Sequence, residues 1–190
     1  MFDDAYKQLI KTGAIGVIPT DTVYGVVARA EDKVAVERLY KLKDRNNKPG
    51  TVIAASIEQL EDLGLKRRYL TAVEQFWPGA ISVIIPSSNS ELNYLDLDKY
   101  SLAVRLPDHK ELISLLKKTG PLLTSSANKP GEKTSANVKE AKAYFGDQVD
   151  FYVDGGDLSS NLASTIVRVL DDAVEVIRPG AVKIDQNDKI

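Results

Sequence analysis

Residues 17–28 read V-I-P-T-D-T-V-Y-G-V-V-A. An apolar strand runs up to Pro19, two hydroxyls and a carboxylate follow within three residues, and an apolar run resumes around Gly25. Proline cannot donate to a central ladder, and glycine permits close approach of backbone or ligand, so a sheet can open onto a site here. The same letters describe equally well a strand, a proline-marked turn and a second strand with no site attached.

Working outward, Phe2, Tyr6, Leu9 and Ile10 stand at helical spacing and predict a helix over 2–12 that ends at Gly13. Asp32 predicts the cap of a helix whose stripe is Ala35, Leu39 and Leu42, widened by Val36 and Tyr40 and ending in K-L-K-D-R. T-V-I-A-A at 51–55 reads as a buried strand. Ser56 with Gln59, and Thr71 with Glu74, have capping-box spacing and predict helices over 57–63 and 72–76, parted by Gly64. W-P-G at 77–79 turns the chain into the strand A-I-S-V-I-I, and the Ser-, Asn- and Asp-rich residues 87–99 read as a long surface loop. A strand at 101–106 follows, then Asp108 with Glu111 predicts a capped helix to about Thr119, with His109 solvated in its first turn.

P-L-L-T-S-S-A-N at 121–128 is a second place where an apolar strand passes abruptly into hydroxyls and an amide. Thr134 or Ser135 is expected to cap a helix to about Phe145, and a strand at 149–153 leads into the turn-rich D-G-G-D-L-S-S-N. A hairpin through Asp171-Asp172 closes the regular part and ends at Pro179-Gly180. The expectation is an α/β fold: a single domain, 1–182, with a mixed, strongly twisted sheet flanked by helices, and a polar tail over 183–190.

Composition narrows the chemistry. The 190 residues hold no cysteine and one histidine, which leaves no disulfide framework, thiol nucleophile or cysteine-based zinc site. That histidine is a poor base for Ser125 or Ser126, so a serine–histidine–aspartate triad is not expected. No apolar run approaches the roughly 20 residues needed to span a bilayer, and acids stand at the start where a signal peptide needs bases, so a soluble protein is expected. A formal net charge of −2 excludes a globally basic nucleic-acid surface and leaves room for a local basic groove. Neither a Walker loop nor G-x-G-x-x-G occurs, so phosphate binding has to come from scattered side chains. Lys41, Lys43, Arg45 and Lys48 supply four cations within eight residues; by themselves they equally suit a solvated helix end.

P-T-D-T-V-Y-G (19–25), K-D-R (43–45), W-P-G (77–79), A-V-R-L-P (103–107), S-A-N (126–128), A-S-T-I-V (163–167) and R-P-G (178–180) occur in that order. With this set the chain resembles the YrdC/Sua5/TsaC family of threonylcarbamoyl-AMP synthases over roughly residues 5–182, in the short form that has only the catalytic domain. The resemblance implies that L-threonine, bicarbonate and ATP, with Mg²⁺ carried on the phosphates and no protein-held metal, give threonylcarbamoyl-AMP and pyrophosphate. It further implies a cytoplasmic enzyme with no membrane partner. Its product would serve a tRNA threonylcarbamoyltransferase complex that makes N6-threonylcarbamoyladenosine at position 37, with weak direct tRNA contact as an option. By motif position, Lys43 and Arg45 would be catalytic and, with Ser101, Ser126, Asn128, Thr134 and Arg178, would hold ATP. Thr20, Arg105, Thr124 and Ser164 would hold L-threonine, with Arg105 on the carboxylate of the amino acid. Tyr24 either lines the pocket or packs in the core. Such chemistry needs positioned positive charge more than a tuned acid and base, which suits a chain without cysteine.

Two other readings stay open at this stage. One is a carbamoyl-adenylating domain of the hydrogenase-maturation type. The other is an RNA-binding module that uses the cations at 41–48 and Lys66-Arg67-Arg68.

Overall fold

The computed structural model describes residues 2–44, 47–170 and 173–184. In chain order the elements are α1 (Asp3–Leu9), β1 (Ile15–Ile18), β2 (Gly25–Arg29), α2 (Lys33–Leu42), β3 (Thr51–Ile53), α3 (Ile57–Asp62), α4 (Arg67–Thr71), β4 (Ile81–Pro86) and α5 (Asn93–Asp96). There follow β5 (Ser101–Arg105), α6 (Lys110–Thr119), β6 (Leu122–Ser126), α7 (Val138–Phe145), β7 (Phe151–Tyr152), β8 (Thr165–Leu170) and β9 (Ala173–Arg178). The strands form one mixed sheet in the order β7-β1-β2-β6-β3-β5-β4-β8-β9. Hairpin neighbours β1–β2 and β8–β9 are antiparallel, as expected, whereas β3–β5 and β4–β8 are parallel.

Both faces of the central strands are covered, because successive side chains alternate between them. Val27 of β2, Ile53 of β3 and Leu122 of β6 pack with Leu9 of α1 and Leu112 and Leu116 of α6. Their neighbours Val26, Ala28, Val52 and Leu123 pack on the other face with Val36, Leu39 and Tyr40 of α2. Gly16 in β1 lies beneath the Phe151 ring, where a Cβ would fall 2.2 Å from the ring carbons, so only glycine admits β7 beside β1. Among the described residues, no helix is long and apolar enough to cross a membrane.

Several local expectations are corrected. Residues 72–76 are not a capped α-helix: Thr71 ends α4, with its hydroxyl donating back to Arg67 O, and a 3-10 turn follows at Glu74–Phe76. Residues 87–99 are not a surface loop. A 3-10 turn, Ser90–Leu92, runs into α5 and places Leu92 and Leu95 in the core, while Tyr94 donates its hydroxyl proton to Ala30 O at 2.7 Å. The cap of α6 is not Asp108 but His109, whose Nδ1 accepts from Leu112 N–H at 3.2 Å; half-buried and edge-on to Phe2, it is not freely solvated. Asn137, rather than Thr134 or Ser135, caps α7 by accepting from Glu140 N–H. The capping expectations at Asp32 and Ser56 are met, with bonds from Ala35 N–H and Gln59 N–H. The turn at Asp171-Asp172 and the tail at 185–190 lie outside the described residues.

Candidate active site

The sheet face that carries Val27, Ile53 and Leu122 turns polar along the same strands. Two residues on from Leu122 stands Thr124 and then Ser126; opposite Thr124 stands Thr51, and in line with Ile53 stands Arg105. Where α1 and α6 cover this face it is apolar, and beyond them it opens into a cavity of about 80 Å³. Thr20, Thr22, Gly25, Thr51, Arg105, Thr124, Ser126, Ser164 and Arg178 are among its lining residues. A Cβ at Gly25 would lie 2.5 Å from Thr124 Oγ1, so the glycine keeps that space free.

The connection from β1 to β2 folds over this face. Thr20 donates to Val23 O at 2.7 Å and accepts from Thr22 N–H at 3.1 Å, so its hydroxyl is engaged inside its own turn. Asp21 reaches across to Arg105, whose Nη1 donates to both carboxylate oxygens at 2.5 and 2.6 Å. Tyr24 is fully buried and does both jobs proposed for it. Its ring packs in the core, and its hydroxyl accepts from Gly155 N–H and donates to Gly156 O at the cavity wall. Burial pushes its phenol pKa up.

At the far wall, Ser164 is held from two sides. Its hydroxyl is 2.9 Å from that of Ser82 in β4, and Arg178 donates to its carbonyl at 2.6 Å. Ser126 also lines a second, larger cavity of about 460 Å³, shared with Lys43, Asp44, Asn47, Lys48 and Asn128. Here the buried Lys43 ammonium donates to Ser126 O at 2.8 Å, to Asn128 O, and to Asn128 Oδ1 at 3.2 Å. Asn128 is in turn fixed by Ser126 Oγ and by its own bonds to Lys129 O and Glu132 O. Lys43 and the S-A-N element, 83 to 85 positions apart, therefore form one unit at the end of α2.

Thus Thr20, Arg105, Thr124, Ser164, Ser126 and Arg178 come together on the first cavity, and Lys43, Ser126 and Asn128 on the second. Ser101 shares the sheet face with Arg105, four residues back along β5, but lines neither cavity, and nor does Thr134. Arg45 lies outside the described residues. Sequence reasoning gave no role to Asp21, although it stands in the opening stretch, and none to Ser82, a hydroxyl hidden inside an apolar run.

Comparison with known proteins decides the lineage. A family model for the Sua5/YciO/YrdC domain, described as "Telomere recombination", matches residues 8–180. The chain belongs to the Sua5/YciO/YrdC family. A Mycobacterium tuberculosis member is 34% identical over 180 residues, spanning 93% of this chain and 83% of its own length. The threonylcarbamoyl-AMP synthase of Bacillus subtilis is 31% identical over 183 residues, 94% of this chain but 53% of that protein. Among solved Sua5/YciO/YrdC structures, Pyrococcus abyssi Sua5 complexed with L-threonine superposes with a TM-score of 0.82 at 27% identity, over 93% of this chain and 53% of that one. This chain therefore spans about half the length of those last two relatives.

Proposed function

We propose that this protein is a threonylcarbamoyl-AMP synthase. The observation that carries the reading is the pairing of two chemically different cavities through Ser126. One is small and lined by hydroxyls around a fixed guanidinium; the other is larger and built on the lysine–asparagine unit. Curated family members are named for this activity, and a homologous structure holds L-threonine.

In this reading the small cavity takes L-threonine, its carboxylate facing Arg105 and its side chain among Thr20, Thr124 and Ser164. Bicarbonate carboxylates the amino group with loss of water. The new carboxylate oxygen then attacks the α-phosphorus of ATP, a P–O bond forms, the bond to the β-phosphate oxygen breaks, and pyrophosphate leaves. The larger cavity takes the triphosphate, with Mg²⁺ entering on its oxygens, and Lys43 and Arg45 offset charge as pyrophosphate departs. Asn128 and Ser126 hold Lys43 in place beforehand, and Arg178, with Ser101 and Thr134, would border the nucleotide. The product is a reactive mixed anhydride that passes in the cytoplasm to the tRNA threonylcarbamoyltransferase machinery. An RNA-binding module is less well supported, since Arg67 pairs with Glu58 and Glu61, and Arg68 lies on Tyr69.

The test is pyrophosphate release from purified protein with ATP, Mg²⁺, bicarbonate and L-threonine, each omitted in turn. Release that needs both threonine and bicarbonate supports the synthase. Release driven by carbamoyl phosphate without threonine sinks it in favour of carbamoyl adenylation.

A further inference from the structure

We infer that Asp21 is the positioning residue for Arg105, and that it sets affinity for the amino-acid carboxylate without touching the substrate. The inference rests on the synthase reading and deepens it. Three observations carry it.

First, the pair is built unlike the others. Among the described residues it is the ion pair with the least exposed partners, 3% for Arg105 and 7% for Asp21, whereas the remaining pairs lie in partly or well-exposed positions. Isolated exposed pairs contribute little, but a buried guanidinium needs a counter-charge to be kept in place.

Second, the pair spans the site. Asp21 belongs to the connection between β1 and β2, Arg105 ends β5, and strands β6 and β3 lie between β2 and β5 in the sheet. At about 4.8 Å per strand spacing, the connection reaches over about 14 Å of sheet to make this contact. It is a strut across the cavity that carries Thr20 and Thr22 on one side and Arg105 on the other. The Asp108 N–H, leading into α6, donates to Asp21 Oδ2 at 3.3 Å and fixes the carboxylate from a third direction.

Third, the geometry leaves one guanidinium nitrogen to spare. Both bonds to Asp21 come from Nη1, and Nε has no hydrogen-bond partner among the described residues. Nε is buried as well as unpartnered, so Nη2 is the nitrogen left to donate to a ligand. Asp21 thus holds the arginine through one nitrogen and leaves another to donate to a carboxylate.

The test is a cycle of Asp21→Asn and Arg105→Lys, with KM for threonine, KM for ATP and kcat measured for each protein and folding checked by circular dichroism. Asp21→Asn is expected to raise the threonine KM about 10- to 100-fold. The ATP KM should stay within about twofold, and in the Arg105→Lys background Asp21→Asn should change the threonine KM by less than about threefold. Asp21→Glu, which keeps the charge but moves it by one methylene, is the second variant; it should fold and still raise the threonine KM. The inference is overturned by a threonine KM indifferent to Asp21→Asn, by threonine and ATP KM values rising together, or by equal losses in both backgrounds. A wild-type protein that neither binds threonine nor releases pyrophosphate removes the synthase reading and this inference with it. An active wild type with an indifferent Asp21 removes this inference alone.

Discussion

Arg105 and Lys43 are both buried cations at the same site, and they are held in different ways. Arg105 is clamped by a carboxylate, so its charge is offset and its plane is fixed. Lys43 is oriented by the carbonyl oxygens of Ser126 and Asn128 and by the Asn128 side-chain amide oxygen, and its ammonium lies over the Phe145 ring. A guanidinium held by a carboxylate suits recognition of a single anionic group, whereas an ammonium seated among backbone and amide oxygens suits a polyphosphate whose charge grows during reaction. On the proposed reading, substrate discrimination and charge stabilisation would fall on separate residues, whose two cavities share Ser126.

The largest effect should come from the second half. Lys43→Met is expected to lower pyrophosphate formation by about 100-fold or more at saturating threonine, because the developing charge loses its nearest cation. A variant near wild-type turnover would break the contrast. Next, Arg105→Lys should raise the threonine KM by about 10- to 100-fold, since an ammonium cannot reproduce a planar fork, while the ATP KM holds within about twofold. Equal changes in both KM values would mean that the two halves are not separate.

Ser82→Ala is expected to do less, raising the threonine KM by about 2- to 10-fold through the loss of one neutral hydrogen bond to Ser164. Titration of threonine against the two proteins reads it directly.

A second buried carboxylate serves as the control for Asp21. Asp96 is fully buried, and neither of its oxygens has a hydrogen-bond partner among the described residues. Burial pushes its pKa up, against lowering contributions from the Ser87 hydroxyl and the backbone of Asp98 and Lys99, which lie close without meeting hydrogen-bond geometry. A carboxyl raised in the folded state costs nothing at low pH. Its penalty sets in as pH climbs past the unfolded value of about 4 and is complete above the folded one. Asp96→Asn should therefore stabilise the fold at pH 7, with the gain vanishing below about pH 4. Denaturant midpoints across that range check it; a loss at pH 7 would show that Asp96, like Asp21, has a counter-charge.

What the sequence made legible follows from the range of the interactions. Strand alternation and local caps such as Asp32 depend on neighbours within a few residues, and they were readable. So was the polar break at 19–25, because threonines and a glycine between two apolar runs leave a visible mark. The role of Asp21 was not, since its partner lies 84 residues away and nothing local distinguishes a strut from a turn acid. Residues 87–99 misled for the opposite reason: a 3-10 turn and a four-residue helix are too short to show a period, so Leu92 and Leu95 looked incidental. His109 was misread because its ring nitrogen takes a capping role more often filled by serine or aspartate.

The hydroxyl of Tyr24, bonded to consecutive glycines, has a consequence for how the far wall of the site is assembled. The chain between β7 and β8 is pinned at Gly155 and Gly156 and again where Leu158 N–H donates to Ala136 O, so it closes as shorter pieces. Closure cost grows slowly, by about 0.6 kcal/mol per doubling of loop length, so an uneven division lowers it by less than that. The segment that delivers Ala163 and Ser164 is thus already shortened before a ligand arrives, and less disorder remains for binding to remove.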